Sequence, residues 1–131
     1  CDSIIRDYLI NKMRTLIFST ALPPISMAWS DFIFNKVLSM QQQRQHLAEI
    51  SQYLQQAVIA KGFSSPSSSH IIPVIVGESQ AAIEKARYVQ QQGFYAMPVR
   101  PPTVPQNSSR LRISLTSLVQ KNELQQLVEC L

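Results

Sequence analysis

Apolar residues in the first sixty positions recur at helical spacing in two stretches. From Cys1 to Met13 they lie three and four residues apart, which predicts one face of a helix. Pro24 can open a second helix, because the first helical position needs no N–H partner. No Pro or Gly follows before Gly62. We therefore expect a long helical stretch, with a break near Gln41–Gln43, where the apolar seam shifts.

The segment between these helices predicts a short strand. Leu16 to Phe18 is an apolar run, and Pro23 and Pro24 after it cannot continue a central strand. Three residues do not form a sheet alone. A partner for this strand is therefore expected outside the chain.

After residue 62 the pattern alternates between periods of two and of 3.6 residues. Gly62 and Gly93 are placed to end helices, and Pro73 restricts its strand to an edge or an unpaired position. The predicted elements are a loop over 64–69, a strand over 71–76, a helix capped by Ser79 over 79–92, strands over 94–99 and 111–115, and a last helix around 124–131. Their order predicts an α+β fold, a small antiparallel sheet covered on one face by helices, with the N-terminal helix and short strand added.

Composition narrows the functional classes. The chain has 131 residues, 45% hydrophobic and 15% charged, which indicates one packed domain and excludes a disordered segment. The net charge of +4 comes from scattered basic residues, so nucleic acid is not expected as a partner. No apolar run reaches the roughly 18 residues of a membrane span, so a membrane is not expected as a partner either. Cys1 and Cys130 are expected to be reduced thiols without metal, in a cytoplasmic protein.

A complete active site is not apparent in this chain. His46 and His70 have no nucleophile or carboxylate at motif spacing, so a structural role is favoured for both. Only three glycines are present, too few for a phosphate-cradling loop.

A proline-rich segment offers one candidate site. Four prolines between Pro98 and Pro105 stiffen a loop, and Arg100, Thr103 and Arg112 could face a common anion. Side-chain alternation would aim Arg110 and Arg112 to the same side of a strand. A stiff surface loop or a polyproline II segment with solvated arginines is the alternative.

A second candidate lies before Pro23. The hydroxyls of Ser19 and Thr20 precede a helix start, where a phosphate is favoured by the unpaired N–H groups. An ordinary capping sequence is the alternative.

Several segments together are similar, in order and spacing, to the C-terminal third of the α-oxoamine synthases. They are the segments 18–24 (FSTALPP), 72–77 (IPVIVG), 100–105 (RPPTVP) and 110–116 (RLRISLT). The proline-rich form is most like the branch that joins L-alanine to a pimeloyl thioester. The resemblance implies a pyridoxal 5'-phosphate enzyme of fold type I that acts as a homodimer. Residues 1–22 would then be the edge of a large domain, and residues 23–131 the C-terminal small domain.

The resemblance also implies roles for single residues. Arg112 matches the arginine that binds the amino-acid carboxylate, Thr103 a substrate-contacting threonine, and Arg100 a further substrate contact. Thr20, with Ser19, matches the hydroxyl that reaches the cofactor phosphate. No lysine of this chain stands in the family's Schiff-base context, so no catalytic residue is assigned and the chain alone is expected to be inactive. After Thr116 the sequence departs from the family pattern, which leaves the start of the last helix open.

Two other interpretations remain. One is a glycine-using acetyltransferase or another acyl-CoA condensing member of the same family. The other is a non-enzymatic module whose Pro-rich segment, around Pro102–Pro105, binds an aromatic groove.

Overall fold

Helices form the first third of the chain, and a three-stranded sheet with three helices forms the rest. The computed structural model describes all residues from 1 to 131 and divides into two units, Cys1–Ser39 and Met40–Leu131. The elements are α1 Ser3–Lys12, α2 Arg14–Ile17, α3 Pro24–Leu38, α4 Gln41–Ala60, β1 Ile71–Gly77, α5 Ser79–Gln91, β2 Met97–Val99, β3 Ser109–Ser114 and α6 Lys121–Glu129.

The first unit contains α1, α2 and α3. The Asp2 carboxylate accepts a hydrogen bond from the Ile4 N–H at 2.9 Å and so caps α1. Pro24 is the first residue of α3, as the sequence predicts. None of the three helices contains a buried residue. Their apolar faces therefore have no core of their own within this unit.

The strand expected from Leu16 to Phe18 is wrong, because these residues belong to α2 and its C-terminal end. The Ile17 and Phe18 N–H groups donate to the carbonyls of Met13 and Arg14 at 3.0 and 3.1 Å. A strand needs hydrogen-bond partners from another strand, whereas a helical turn satisfies its backbone groups locally. Because no strand forms here, a partner strand outside the chain is no longer expected.

The predicted break in the long helical stretch is confirmed. The helix α3 ends at Leu38 and α4 begins at Gln41. The N–H and the hydroxyl of Ser39 both donate to the Lys36 carbonyl, at 3.1 and 2.8 Å, and so satisfy this carbonyl at the end of α3.

The sheet of the second unit has the order β1-β3-β2, and both pairings are antiparallel. The only strand beside β1 in the sheet is β3, and on its outer side β1 has a single bridge, from Ile75 to Ser64. The strand β1 is therefore an edge strand and tolerates Pro73. The central strand, β3, forms a hairpin with β2 through residues 100–108. The predicted antiparallel α+β fold is confirmed.

Helices cover one face of the sheet. The core side chains alternate along β1 and β3 and meet the buried residues of α4, α5 and α6; the core contains Ile50, Leu54, Val58, Ile72, Val74, Ala86, Val89, Leu111, Ile113, Leu124 and Leu127, together with Ala96 and Leu115. The buried hydroxyl of Ser109 lies 3.2 Å from that of Ser79, which joins the start of α5 to the start of β3.

Both predicted helix-ending glycines are confirmed. Gly62 and Gly93 have φ values of +88° and +93°, in the left-handed region that glycine adopts at no steric cost. After Gly62 the Phe63 N–H reaches back to the Val58 carbonyl at 3.2 Å, and after Gly93 the Phe94 N–H reaches the Val89 carbonyl at 3.1 Å. These bonds close a Schellman motif at the end of α4 and another at the end of α5.

Two predicted boundaries differ by a few residues. Ser79 is the first residue of α5 and not its cap, since Glu78 holds the extended cap conformation. The strand expected over 94–99 is shorter, because the Ala96 carbonyl accepts a bond from the Gln90 side chain at 2.9 Å and pairing starts at Met97. After Thr116, where the sequence departs from the family pattern, the last helix α6 begins at Lys121. The Glu123 carboxylate accepts a hydrogen bond from the Gln120 N–H at 2.7 Å and so caps this helix.

We expect Gly62→Ala to lower the free energy of unfolding by about 1 to 2 kcal/mol, because a Cβ is disfavoured at positive φ. No atom lies within 4 Å of the added Cβ, so backbone strain alone produces this effect. Chemical denaturation of the protein carrying this chain measures it. Lys61→Ala, at an ordinary negative φ, is the matched control; equal stability of the two variants would contradict the expectation.

Candidate functional site

The outer face of the sheet carries two arginines on its central strand. Cross-strand register places Arg112 between Pro73 and Met97, and Arg110 between Ile75 and Val99. Side chains in register share one face of a sheet. Each arginine stem therefore lies in a row of apolar neighbours, on the face that the helices leave open.

A cleft of about 340 Å³ opens over this face. Its walls are largely apolar, and its charged groups are the two guanidinium groups. The residues that line it are Pro66, Ser69, Ile71, Pro73, Val99, Val104, Arg110 and Arg112. No carboxylate is among them, so the site favours an anion with apolar surface.

The hairpin loop over residues 100–108, called the proline loop below, is closed by two short turns. The Thr103 N–H donates to the Arg100 carbonyl at 3.0 Å across the cis Pro101–Pro102 peptide. The Ser108 hydroxyl donates to the Pro105 carbonyl at 2.7 Å. The local hydrogen bonds hold the loop in shape, and Val104 between the turns lines the cleft.

Arg110 and Arg112 differ in their surroundings. Arg110 is half-buried, and its Nε donates to the Ser108 carbonyl at 2.9 Å, at the C-terminal end of the proline loop. Arg112 is exposed. Neither forms an ion pair with a carboxylate of this chain. Both guanidinium groups are therefore available to an anionic ligand.

The sequence correctly placed Arg110 and Arg112 on one side of the strand. The structure does not bring Arg100 and Thr103 to the cleft lining; both are exposed on the proline loop. Their substrate contacts stay predictions. Arg110 was not assigned a role from the sequence, although the alternation of β3 placed it on the same side as Arg112. Val104 was not predicted either, because nothing in the sequence pattern indicates that it lines the cleft.

Ser19 and Thr20 belong to the first unit and are exposed. The Ser19 hydroxyl donates to the Leu16 carbonyl at 3.1 Å, so its proton is already used at the end of α2. Thr20 makes no such bond and keeps a free hydroxyl donor. Of the two, Thr20 is better suited to a phosphate.

The histidines lie outside the cleft. The His46 Nε2 is 3.0 Å from the Val119 carbonyl and joins α4 to the segment before α6. His70 lies on a separate groove of about 310 Å³ along α4, which Arg44 and Ser69 also line. No cluster of metal-ligating side chains is present, and none of the helices is long and apolar enough to cross a membrane.

Named proteins are similar in sequence to this chain over its whole length. It is 50% identical, over 132 aligned residues, to an 8-amino-7-oxononanoate synthase of Haemophilus ducreyi. The alignment covers all of this chain and 34% of that relative. The chain thus spans about a third of the length of the relative it matches.

Solved structures share the fold. An 8-amino-7-oxononanoate synthase from Francisella tularensis superposes with a TM-score of 0.79 at 24% identity, over 98% of this chain and 38% of the other. A serine palmitoyltransferase containing pyridoxal phosphate superposes with a TM-score of 0.83 at 22% identity, over 95% of this chain and 32% of the other.

The family comparison covers every residue. The sequence matches aminotransferases of class I and II over residues 1–131. The sheet and helices agree with this result, since both solved structures contain the same arrangement. The chain belongs to the class I and II aminotransferase family.

Proposed function

We propose that this chain is the C-terminal part of an 8-amino-7-oxononanoate synthase. The reaction joins the Cα of L-alanine to the acyl carbon of a pimeloyl thioester, carried by coenzyme A or by an acyl carrier protein. The alanine carboxylate leaves as carbon dioxide, and the thiol leaves with a proton. The observation that supports this function is Arg112, on the central strand, lining a cleft without carboxylates. The 50% identity to the Haemophilus ducreyi enzyme supports the specific reaction.

Arg112 binds the alanine carboxylate in this proposal. A guanidinium forms two parallel hydrogen bonds with a carboxylate, which fixes both its position and its plane. The rigid pairing of β3 on both sides holds the arginine backbone in place. Arg112 thereby orients the bond between Cα and the carboxylate, which is the bond that breaks.

Pyridoxal 5'-phosphate, when bound, stabilises the negative charge that develops at the alanine Cα. Thr20 would donate a hydrogen bond from its free hydroxyl to the cofactor phosphate. Ser19 could donate to the phosphate only after its hydrogen bond to the Leu16 carbonyl breaks. This contact would be made in a homodimer. Arg100 and Thr103 would approach the substrates from the proline loop.

Two of the three lysines of the second unit, Lys85 and Lys121, fit structural roles better than attachment to a cofactor. Lys85 lies over the Phe63 ring at 5.1 Å and donates to the Leu131 carbonyl, and Lys121 lies over the Tyr53 ring at 4.8 Å. Because no lysine of this chain stands in the family's Schiff-base context, the residue that holds the cofactor covalently would belong to a large domain, with residues 1–22 as its edge and 23–131 as the small domain. The chain alone would be inactive, and the whole enzyme would act in the cytoplasm.

The first prediction about the reaction concerns the substrates of the enzyme carrying this chain. With pyridoxal phosphate present, we expect condensation of L-alanine with a pimeloyl thioester to exceed that of glycine with an acetyl thioester. Carbon dioxide release and mass spectrometry of the product measure both. A preference for glycine and acetyl would instead identify the glycine-using branch, and no condensation with any pair would favour a binding module.

The second prediction concerns Arg112→Ala. Loss of a charge-assisted contact should cost about 2 to 3 kcal/mol, which lowers kcat/KM for L-alanine roughly 30- to 150-fold. The absorbance of bound cofactor should not change. Arg87→Ala, an exposed arginine on α5, is the control. Normal kinetics with alanine would remove Arg112 from the site.

The third prediction concerns Thr20→Val, which keeps the side-chain shape and removes the hydroxyl. Loss of one hydrogen bond to phosphate should weaken pyridoxal phosphate binding by about 1.5 to 3 kcal/mol. Titration of the apoenzyme with cofactor measures the Kd. Ser30→Ala, whose hydroxyl bonds within α3 to the Ser26 carbonyl, should leave the Kd unchanged. A Thr20→Val enzyme with the wild-type Kd would refute this contact.

A further inference from the structure

The cleft contains a second guanidinium group for which L-alanine supplies no partner. L-Alanine has one carboxylate, and the proposed function assigns it to Arg112. Arg110 lines the same cleft, faces the same side of β3, and lies near no carboxylate of the chain. Because the two residues are separated by one position on a strand, their Cα atoms are roughly 6.5 to 7 Å apart.

We propose that Arg110 binds the terminal carboxylate of the acyl donor and so selects a dicarboxylic over a monocarboxylic acyl thioester. This inference rests on the proposed function and deepens it. The pimeloyl group has a carboxylate at one end and the thioester at the other, with methylene groups between them. Arg110 would therefore determine acyl-chain specificity, while Arg112 holds the amino acid.

The cleft walls fit such a chain. The Arg110 row contains Ile75 and Val99, and Ile71, Pro73 and Val104 add apolar surface around the two guanidinium groups. Methylene groups gain free energy when they leave water for surfaces of this kind. A short hydrocarbon with an anionic end matches both the apolar walls and the cation among them.

The arginine is also held in a position suited to recognition. Its Nε is bonded to the Ser108 carbonyl at 2.9 Å, which restricts the side chain and leaves both Nη groups to donate. A half-buried, restrained cation loses less conformational entropy on binding than a free surface arginine. Arg100, by contrast, is exposed on the proline loop and does not line the cleft.

The same hydrogen bond suggests a competing role, in which Arg110 only holds the end of the proline loop. The choice of acyl donor distinguishes these two roles of Arg110. A contact with the terminal carboxylate matters only for donors that have one, whereas a displaced loop impairs every donor.

The test is Arg110→Met in the full-length enzyme, with two donors of equal chain length on the same thiol carrier. Pimeloyl has the terminal carboxylate, and heptanoyl has a methyl group in its place. We expect kcat/KM for pimeloyl to fall about 10- to 100-fold, and that for heptanoyl to change less than about threefold. The KM for L-alanine should not move. Arg87→Met, an exposed arginine on α5, should behave as wild type with both donors.

Arg110→Lys keeps the charge without the planar fork, and we expect it to restore part of the preference for pimeloyl. An equal loss with both donors would overturn the proposal in favour of loop positioning, and unchanged kinetics with pimeloyl would overturn it outright. Failure of the proposed function is seen separately, in the wild type: an enzyme that does not condense L-alanine with pimeloyl refutes both. A wild type that does so, beside an Arg110→Met variant that loses equally with pimeloyl and heptanoyl or loses nothing with either, refutes the Arg110 contact alone.

Discussion

The central position of β3 is the constraint on which the candidate site depends. The strand is hydrogen-bonded to β1 on one side and to β2 on the other, so its register cannot slip without breaking two ladders. Side chains alternate between the faces of a strand. Burial of Leu111 and Ile113 under the helices therefore forces Arg110 and Arg112 onto the open face. A slip of one residue would exchange the buried leucine for a charge.

The open face becomes a site because the hairpin connection folds back over it. The turns at Arg100–Thr103 and at Pro105–Ser108 are closed by their own hydrogen bonds, and Arg110 joins the end of the loop to the strand. The arginines thus stand between a rigid sheet and a loop held by local bonds. Rigid placement of charged donors lowers the cost of ordering a substrate. An exposed pair of arginines on a mobile segment would bind the same carboxylates less tightly.

The two units differ in how their apolar residues are used. In the second unit, the apolar stripes of α4, α5 and α6 meet the sheet and form one core. In the first unit, α1 and α3 have apolar faces with no buried residue, and Trp29 and Phe32 contact each other at a centroid distance of 5.7 Å while both remain exposed. The helical pattern is equally clear in both units. Periodicity thus shows that a helix has an apolar face, but it does not show what covers that face.

The sequence by itself determined the features that depend on neighbouring residues. Helical spacing predicted α1, α3 and α4, the glycines marked the ends of α4 and α5, and alternation placed Arg110 and Arg112 on one side of β3. The tertiary structure decided what depends on residues far apart in the chain. It made β3 the central strand, turned Leu16 and Ile17 into a helical turn instead of a strand, and brought Val104, rather than Thr103, to the cleft. The physical reason is that propensity and periodicity act within a few residues, whereas strand order, loop direction and the walls of a cleft depend on packing between distant segments.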